Sequence, residues 1–197
     1  MTLFDLATKY DSVKCRTKYP YSWDFVKTIY PRYFDAKRET STAILEVGCW
    51  KGGFLRALKE YFPNADIYGI DITPPKISEK RITTIYGDQD NREQLERIAR
   101  NLPLFDFIIE DGGHKIQQQI NTFEVFFPKL ISGGYYFIED VIGGDSKGFK
   151  IFNHIKDKYL KEDVFVNLAP GAPVRRDKLS KIKSITFYFG MIAIEKE

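Results

Sequence analysis

Ala43-Ile44-Leu45-Glu46-Val47-Gly48-Cys49-Trp50-Lys51-Gly52-Gly53 reads as a short apolar strand running into a glycine loop. Behind it Phe54, Leu55, Leu58, Tyr61 and Phe62 mark one face of a helix. The same alternation continues downstream. Asp66 to Ile70 and Arg81 to Tyr86 read as the second and third strands, and Leu95, Ile98 and Leu102 belong to a second helix. A buried strand follows from Phe105 to Ile109. Ile116, Ile120, Phe123 and Phe127 then recur at intervals of four, three and four, which predicts another helix that Pro128 closes or kinks. Gly133-Gly134 turns the chain into a strand from Tyr135 to Ile138, and Phe149, Phe152, Ile155 and Tyr159 mark a further helix. Val164 to Leu168 and Ser184 to Ile194 read as two closing strands separated by a Pro/Gly and basic loop.

This alternation predicts an α/β architecture: a Rossmann-like, doubly wound and mostly parallel sheet, closed by an antiparallel pair at the C-terminal edge. In such sheets ligands lie beyond the carboxyl ends of the strands, near the point where strand order reverses. Upstream, Trp23, Phe25, Val26, Ile29, Tyr30, Tyr33 and Phe34 stand at near-helical spacing. Residues 1–42 are therefore expected to form a helical segment that covers the cofactor or substrate site of a domain spanning 43–197.

Composition narrows the class. The 197 residues fit one domain with room for a core, and 16 Phe with 12 Tyr predict that the core is built on rings. A net charge of +3 does not announce a nucleic-acid partner. Cys15 and Cys49 make no disulfide framework, and Met1-Thr2-Leu3-Phe4-Asp5 lacks the basic start and apolar run of a secretory signal. Apolar runs such as Phe107-Ile108-Ile109 are too short for membrane insertion. The expectation is a cytoplasmic protein.

The glycine loop carries the first chemistry. Gly48 ends the strand and Gly52-Gly53 opens the helix, where the turn is tight and the backbone must approach a ligand. The spacing is neither that of a P-loop nor G-x-G-x-x-G. Glu46, two residues before Gly48, suits a cofactor bearing an amino acid ammonium. Asp71, with Ile72 beside it, follows the second strand, where an acid can accept from both ribose hydroxyls. Asp88-Gln89 follows the third, where an adenine amino group needs an acceptor. The joint pattern fits S-adenosylmethionine. On these elements, in residues 43–111, the chain resembles the class I S-adenosylmethionine-dependent methyltransferases, whose seven-stranded sheet with an antiparallel edge also matches the closing strands.

Asp111-Gly112-Gly113-His114 and Glu139-Asp140 carry the second chemistry. Both sets stand where strands end. Neighbouring strands lie about 5 Å apart, so their terminal carboxylates can converge on one ion. Oxygen ligation favours a hard cation, Mg²⁺ first, with Mn²⁺ or Ca²⁺ as alternatives. Consecutive strand residues face opposite ways, so Glu139 and Asp140 can both ligate only if the backbone departs from strand geometry. His114 can return to the same pocket across two glycines, and a neutral imidazole can take a proton from a hydroxyl whose pKa a cation has lowered. His154, between Phe152 and Ile155, is read as structural.

Phe105-Asp106-Phe107-Ile108-Ile109-Glu110-Asp111-Gly112-Gly113-His114, Phe126-Phe127-Pro128-Lys129-Leu130, Gly133-Gly134 and Ile138-Glu139-Asp140-Val141 resemble the macrocin and mycinamicin sugar O-methyltransferases. The resemblance spans about residues 40–195. It implies Mg²⁺ ligation by Asp111, Glu139 and Asp140, with His114 as base. The expected function is metal-assisted O-methylation of a hydroxyl on a sugar or sugar-bearing metabolite, the partner being a small-molecule or glycan acceptor. A homo-oligomer is left open. Two other readings stand beside it: a hydrolase using the same carboxylates, which leaves Glu46, Asp71 and Asp88 without roles, and a cofactor-binding subunit without turnover. The basic run Arg175-Arg176-Asp177-Lys178, with Lys181 and Lys183, is a solvated loop or a contact for an anionic acceptor.

Overall fold

The computed structural model describes residues 1–15, 25–141, 147–159 and 181–197. Its strands are β1 (Ala43–Val47), β2 (Asp66–Asp71), β3 (Ile82–Tyr86), β4 (Phe105–Glu110), β5 (Leu130–Glu139), β6 (Ile182–Tyr188) and β7 (Met191–Lys196). They form one sheet in the order β3-β2-β1-β4-β5-β7-β6. The pairings among β1 to β5 are parallel, whereas β7 runs antiparallel to both β5 and β6. The order reverses between β1 and β4, where the glycine loop after β1 meets the Asp111–His114 loop after β4, with Glu139-Asp140 at the end of neighbouring β5.

Strand parity sorts the side chains into two cores. Ile44, Ile67, Phe107, Ile109, Phe137 and Ala193 face one way and pack on α1 (Leu3–Lys9), α2 (Tyr30–Phe34) and α3 (Gly53–Tyr61). Leu45, Val47, Ile70, Ile108, Tyr136, Ile138 and Ile192 face the other way, against α4 (Arg92–Arg100), α5 (Ile116–Phe126) and α6 (Lys147–Tyr159). The first core is aromatic, as the composition predicts. The Phe34 ring lies 4.5 Å from Phe107, 5.2 Å from Phe62 and 4.9 Å from Tyr30 between centroids. Residues 25–34 are therefore packed onto the sheet: Phe25, Val26, Tyr30 and Phe34 are all buried.

Two element assignments change. Ser184 to Ile194, read as a single strand, is a hairpin in which β6 and β7 turn at Phe189-Gly190, with Gly190 at φ +80°. An unbroken run of β-favouring residues on both sides hides that turn, and the one signal for it is the glycine. The antiparallel edge pair is thus β6 with β7, while Val164–Leu168 and Arg175–Lys178 lie outside the described residues. β5 also begins at Leu130, five residues earlier than expected, because the chain passes from α5 through a 3₁₀ turn, Phe127–Lys129, straight into the strand. Gly133 and Gly134 form a bulge inside β5, where the register against β4 shifts between Phe105 and Phe107. Among the described residues no helix is long and apolar enough to cross a membrane.

Candidate active site

Parity also aims the acids. Glu46 follows Ile44 on β1, Asp111 follows Ile109 beyond β4, and Glu139 follows Phe137 on β5, so all three carboxylates point toward the aromatic core that the leading segment covers. A buried acid needs a counter-charge or a proton. The counter-charge is Lys14, in a 3₁₀ turn, Val13–Cys15, with its side chain only 2% exposed. Its Nζ donates to Asp111 Oδ2 and, at 2.7 Å, to Glu139 Oε1, and lies 3.8 Å from Glu46 Oε1. The Tyr30 hydroxyl donates to the same Glu139 oxygen.

Three carboxylates about one ammonium leave excess negative charge in a dry place. Burial pushes the Glu139 carboxyl up to about 8, and the Asp111 charge adds to this against the pull of Lys14. Glu46 is likewise pushed up to about 8 by burial, with Lys14 opposing. Burial alone would lower the Lys14 ammonium, but Asp111, Glu139 and Glu46 together raise it above the ordinary lysine range. Glu46 Oε2 is buried and has no hydrogen-bond partner.

Beyond β5 the chain leaves strand geometry. Asp140 takes φ +53° and His114 φ +57°, both left-handed, and these turns bring their side chains back to the front of the site. His114 Nε2 lies 3.3 Å from Asp140 Oδ2. Asp111, His114 and Asp140 each offer a ligand atom within 4.8 Å of the others, a mixed carboxylate and imidazole set open to solvent on one side. That donor set fits a divalent cation such as Mg²⁺ or Mn²⁺.

These three groups line a cavity of about 770 Å³ together with Lys14, Gly48, Trp50, Asp71, Ile72, Asp88 and Gln89. Its size suits a nucleoside-bearing cofactor. Gly48, at φ +88°, presses the β1 loop against the β4 loop so closely that a Cβ there would stand 2.1 Å from the Asp111 carbonyl oxygen. Asp71 accepts from the backbone N–H groups of Cys49, Trp50 and Thr73 at 2.8–2.9 Å, which shapes the glycine loop. A carboxylate has about four acceptor positions, so one remains for a ligand hydroxyl.

The expected site residues thus fall into three groups. Gly48, Asp71, Ile72, Asp88, Asp111, His114 and Asp140 line the cavity. Gln89 touches its wall, but both ends of its amide are already engaged. Nε2 donates to Glu110 Oε1 (2.7 Å) and Thr122 Oγ1 (2.8 Å), and Oε1 accepts from Gly113 N–H (2.7 Å). Gln89 therefore braces the Gly112-Gly113 turn that carries His114. Glu46 and Glu139 stand behind Lys14, off the cavity wall. Residues not singled out in the sequence complete the picture: Lys14, Tyr30 and Glu110. Burial pushes the Glu110 carboxyl up to about 7 although Gln89 and the Gly112 N–H stabilise its charged form. No local pattern around Val13-Lys14-Cys15 marks it among 30 lysines and arginines.

Mycinamicin VI 2''-O-methyltransferase of Micromonospora griseorubida is 41% identical over 120 residues, which is 57% of this chain and 30% of that protein. Demethylmacrocin O-methyltransferase of Streptomyces fradiae is 36% identical over 132 residues, 59% of this chain and 33% of that protein. The chain therefore spans about a third of the length of these curated relatives. The solved structure of the mycinamicin-pathway methyltransferase MycE in complex with Mg, SAH and mycinamycin VI has a TM-score of 0.78 and 29% identity, covering 100% of this chain and 53% of that one. A family profile described as FtsJ-like methyltransferase matches residues 29–162. With that profile covering more than half of the sequence, on a class I methyltransferase sheet, the chain belongs to the FtsJ-like methyltransferase family.

Proposed function

We propose that this chain transfers a methyl group from S-adenosylmethionine to a hydroxyl on a sugar borne by a small-molecule metabolite, with a divalent cation at the cavity. The observation that carries the reading is the convergence of Asp111, His114 and Asp140 within 4.8 Å at the cavity that Gly48, Asp71 and Asp88 line. The likeness to MycE, solved with Mg, SAH and a glycosylated acceptor, supports both the cofactor and the acceptor class. A bound cation would lower the pKa of the acceptor hydroxyl, and S-adenosylmethionine would supply the electrophilic methyl.

The remaining work falls to the chain. Asp71 takes a ribose hydroxyl at its remaining acceptor position, and Asp88 faces the base. Asp111 and Asp140 would hold the cation from the tips of β4 and β5. His114 keeps one ring nitrogen against Asp140, which orients the imidazole and stabilises it once protonated, and the other nitrogen receives the acceptor proton. The Val13–Cys15 turn closes the floor of the site through Lys14. Fixing donor and acceptor in line accounts for much of the rate enhancement.

The test is transfer of labelled methyl from S-adenosylmethionine to mycinamicin VI and demethylmacrocin, with and without a chelator. Transfer that the chelator abolishes and Mg²⁺ restores is expected. Tight cofactor binding with no transfer to any glycosylated acceptor would overturn the acceptor class, and chelator-resistant transfer would overturn the metal.

A further inference from the structure

The cavity and the buried acids are separated by one side chain. Lys14 lines the cavity, and Glu139 and Glu46 lie behind it. On the cavity side, Asp111, His114 and Asp140 form an incomplete ligand set, with Asp111 Oδ2 already taken by the Lys14 ammonium. On the far side, Glu139 Oε1 is occupied by Lys14 and Tyr30, while Glu46 Oε2 is buried with no partner. Among the described residues Lys14 is the cation that answers these three carboxylates.

We propose that Lys14 is a resident cation that competes with the divalent ion for Asp111 and Glu139, so that filling the metal site displaces the Val13–Cys15 turn. The inference rests on the metal-dependent reading above. The physical argument is one of charge and room. A hard divalent ion seeks six or more oxygen ligands, and the open side supplies the carboxylates of Asp111 and Asp140, with His114 kept as the base. A further carboxylate, Glu139, shares the Lys14 ammonium with Asp111 and is reached where that ammonium now stands. A second cation beside Nζ, a few Å away, would meet unit-charge repulsion in a poorly solvated place. Withdrawal of Lys14 removes that repulsion and adds oxygen ligands in one movement. Backbone hydrogen bonds from Ser12 N–H to Ala7 and from Cys15 N–H to Ser12 anchor the turn, and the Lys14 ion pairs tie it to the acids, so exchanging one cation for another leaves the acids satisfied throughout.

Two measurements test it without reading turnover. Mn²⁺ binding followed by electron paramagnetic resonance should tighten by roughly tenfold or more in Lys14→Met, since a unit charge has left the site. Unchanged or weaker affinity in a folded variant overturns the proposal. Should Lys14→Met not fold, wild-type protein serves. Lys14 should resist acetic anhydride without metal and become acetylated at saturating Mn²⁺, as read by peptide mass spectrometry. Protection that persists with Mn²⁺ bound overturns it, as does absence of Mn²⁺ binding to the wild type. A parallel titration with S-adenosylmethionine separates the readings: absence of cofactor binding strikes the methyltransferase assignment, absence of Mn²⁺ binding to the wild type strikes the metal reading together with the proposal, and the Lys14→Met affinity and acetylation results strike only the role of Lys14.

Discussion

Single residues set the site through backbone conformations that ordinary side chains resist. Gly48 combines φ +88° with a Cβ direction blocked at 2.1 Å by the Asp111 carbonyl. Gly48→Ala should therefore destabilise the fold by about 1–3 kcal/mol and part the β1 and β4 tips. Urea denaturation reads the first effect, and a weakened S-adenosylmethionine titration reads the second. His114 and Asp140 pay a similar conformational cost at φ +57° and +53° with no glycine to ease it. The two residues so held face one another at 3.3 Å across the cavity. His114→Ala should lower methyl transfer about 100-fold or more while leaving cofactor affinity near that of the wild type. A variant retaining most of its turnover would remove the histidine from the chemistry.

At the scale of elements, a second charged cluster on the far side of the sheet joins three helices. Glu124 on α5 meets Arg92 of α4, His154 Nε2 at 2.7 Å and Lys158 Nζ at 2.6 Å, the last two on α6. His154, read from the sequence as structural, has its place here. Burial alone would raise the Glu124 carboxyl, but Lys158, His154 and Arg92 together pull it down to about 2. A carboxylate depressed in the folded state stabilises the fold above its unfolded pKa, near 4.5, and that contribution disappears as pH falls through about 2. Glu124→Gln should thus cost about 1–3 kcal/mol at neutral pH. The gap from wild type should narrow between pH 4.5 and 2, as thermal melts across that range would show. A gap independent of pH would mean that the carboxylate charge does not hold the helices.

Across the whole molecule, the sheet is a partition. One face is packed with rings under the leading segment, and the other is packed with aliphatic and aromatic side chains under α4 to α6. Phe34 joins the leading segment to the sheet through Tyr30, Phe62, Phe107 and Phe137. Phe34→Ala should cost about 3–5 kcal/mol. Because Tyr30 packs against Phe34 and donates to Glu139, the variant should also loosen the floor of the cavity. Faster hydrogen exchange over residues 25–37, together with a lower urea midpoint, is the expected outcome. Loss of stability with unchanged exchange there would place the role of Phe34 elsewhere in the core.

Much of this was legible one residue after another. Apolar runs and glycines mark β1 to β4 and their loops, because strand and helix periods are local properties of the chain. The acids at strand ends could be named for the same reason, since a strand's last residue is also its place in the site. Strand parity even forbids Glu139 and Asp140 from acting alike unless the backbone turns; it turns at Asp140, which lines the cavity, while Glu139 stays behind Lys14. What tertiary structure alone decided is which charges meet. Glu46, Asp111 and Glu139 come from three separated strands and share one buried face only once the sheet is assembled. The cation that answers them arrives from a turn more than thirty residues upstream of Glu46. Electrostatic pairing acts through space and leaves no periodic trace along the chain, so Lys14 could be found only in the folded protein.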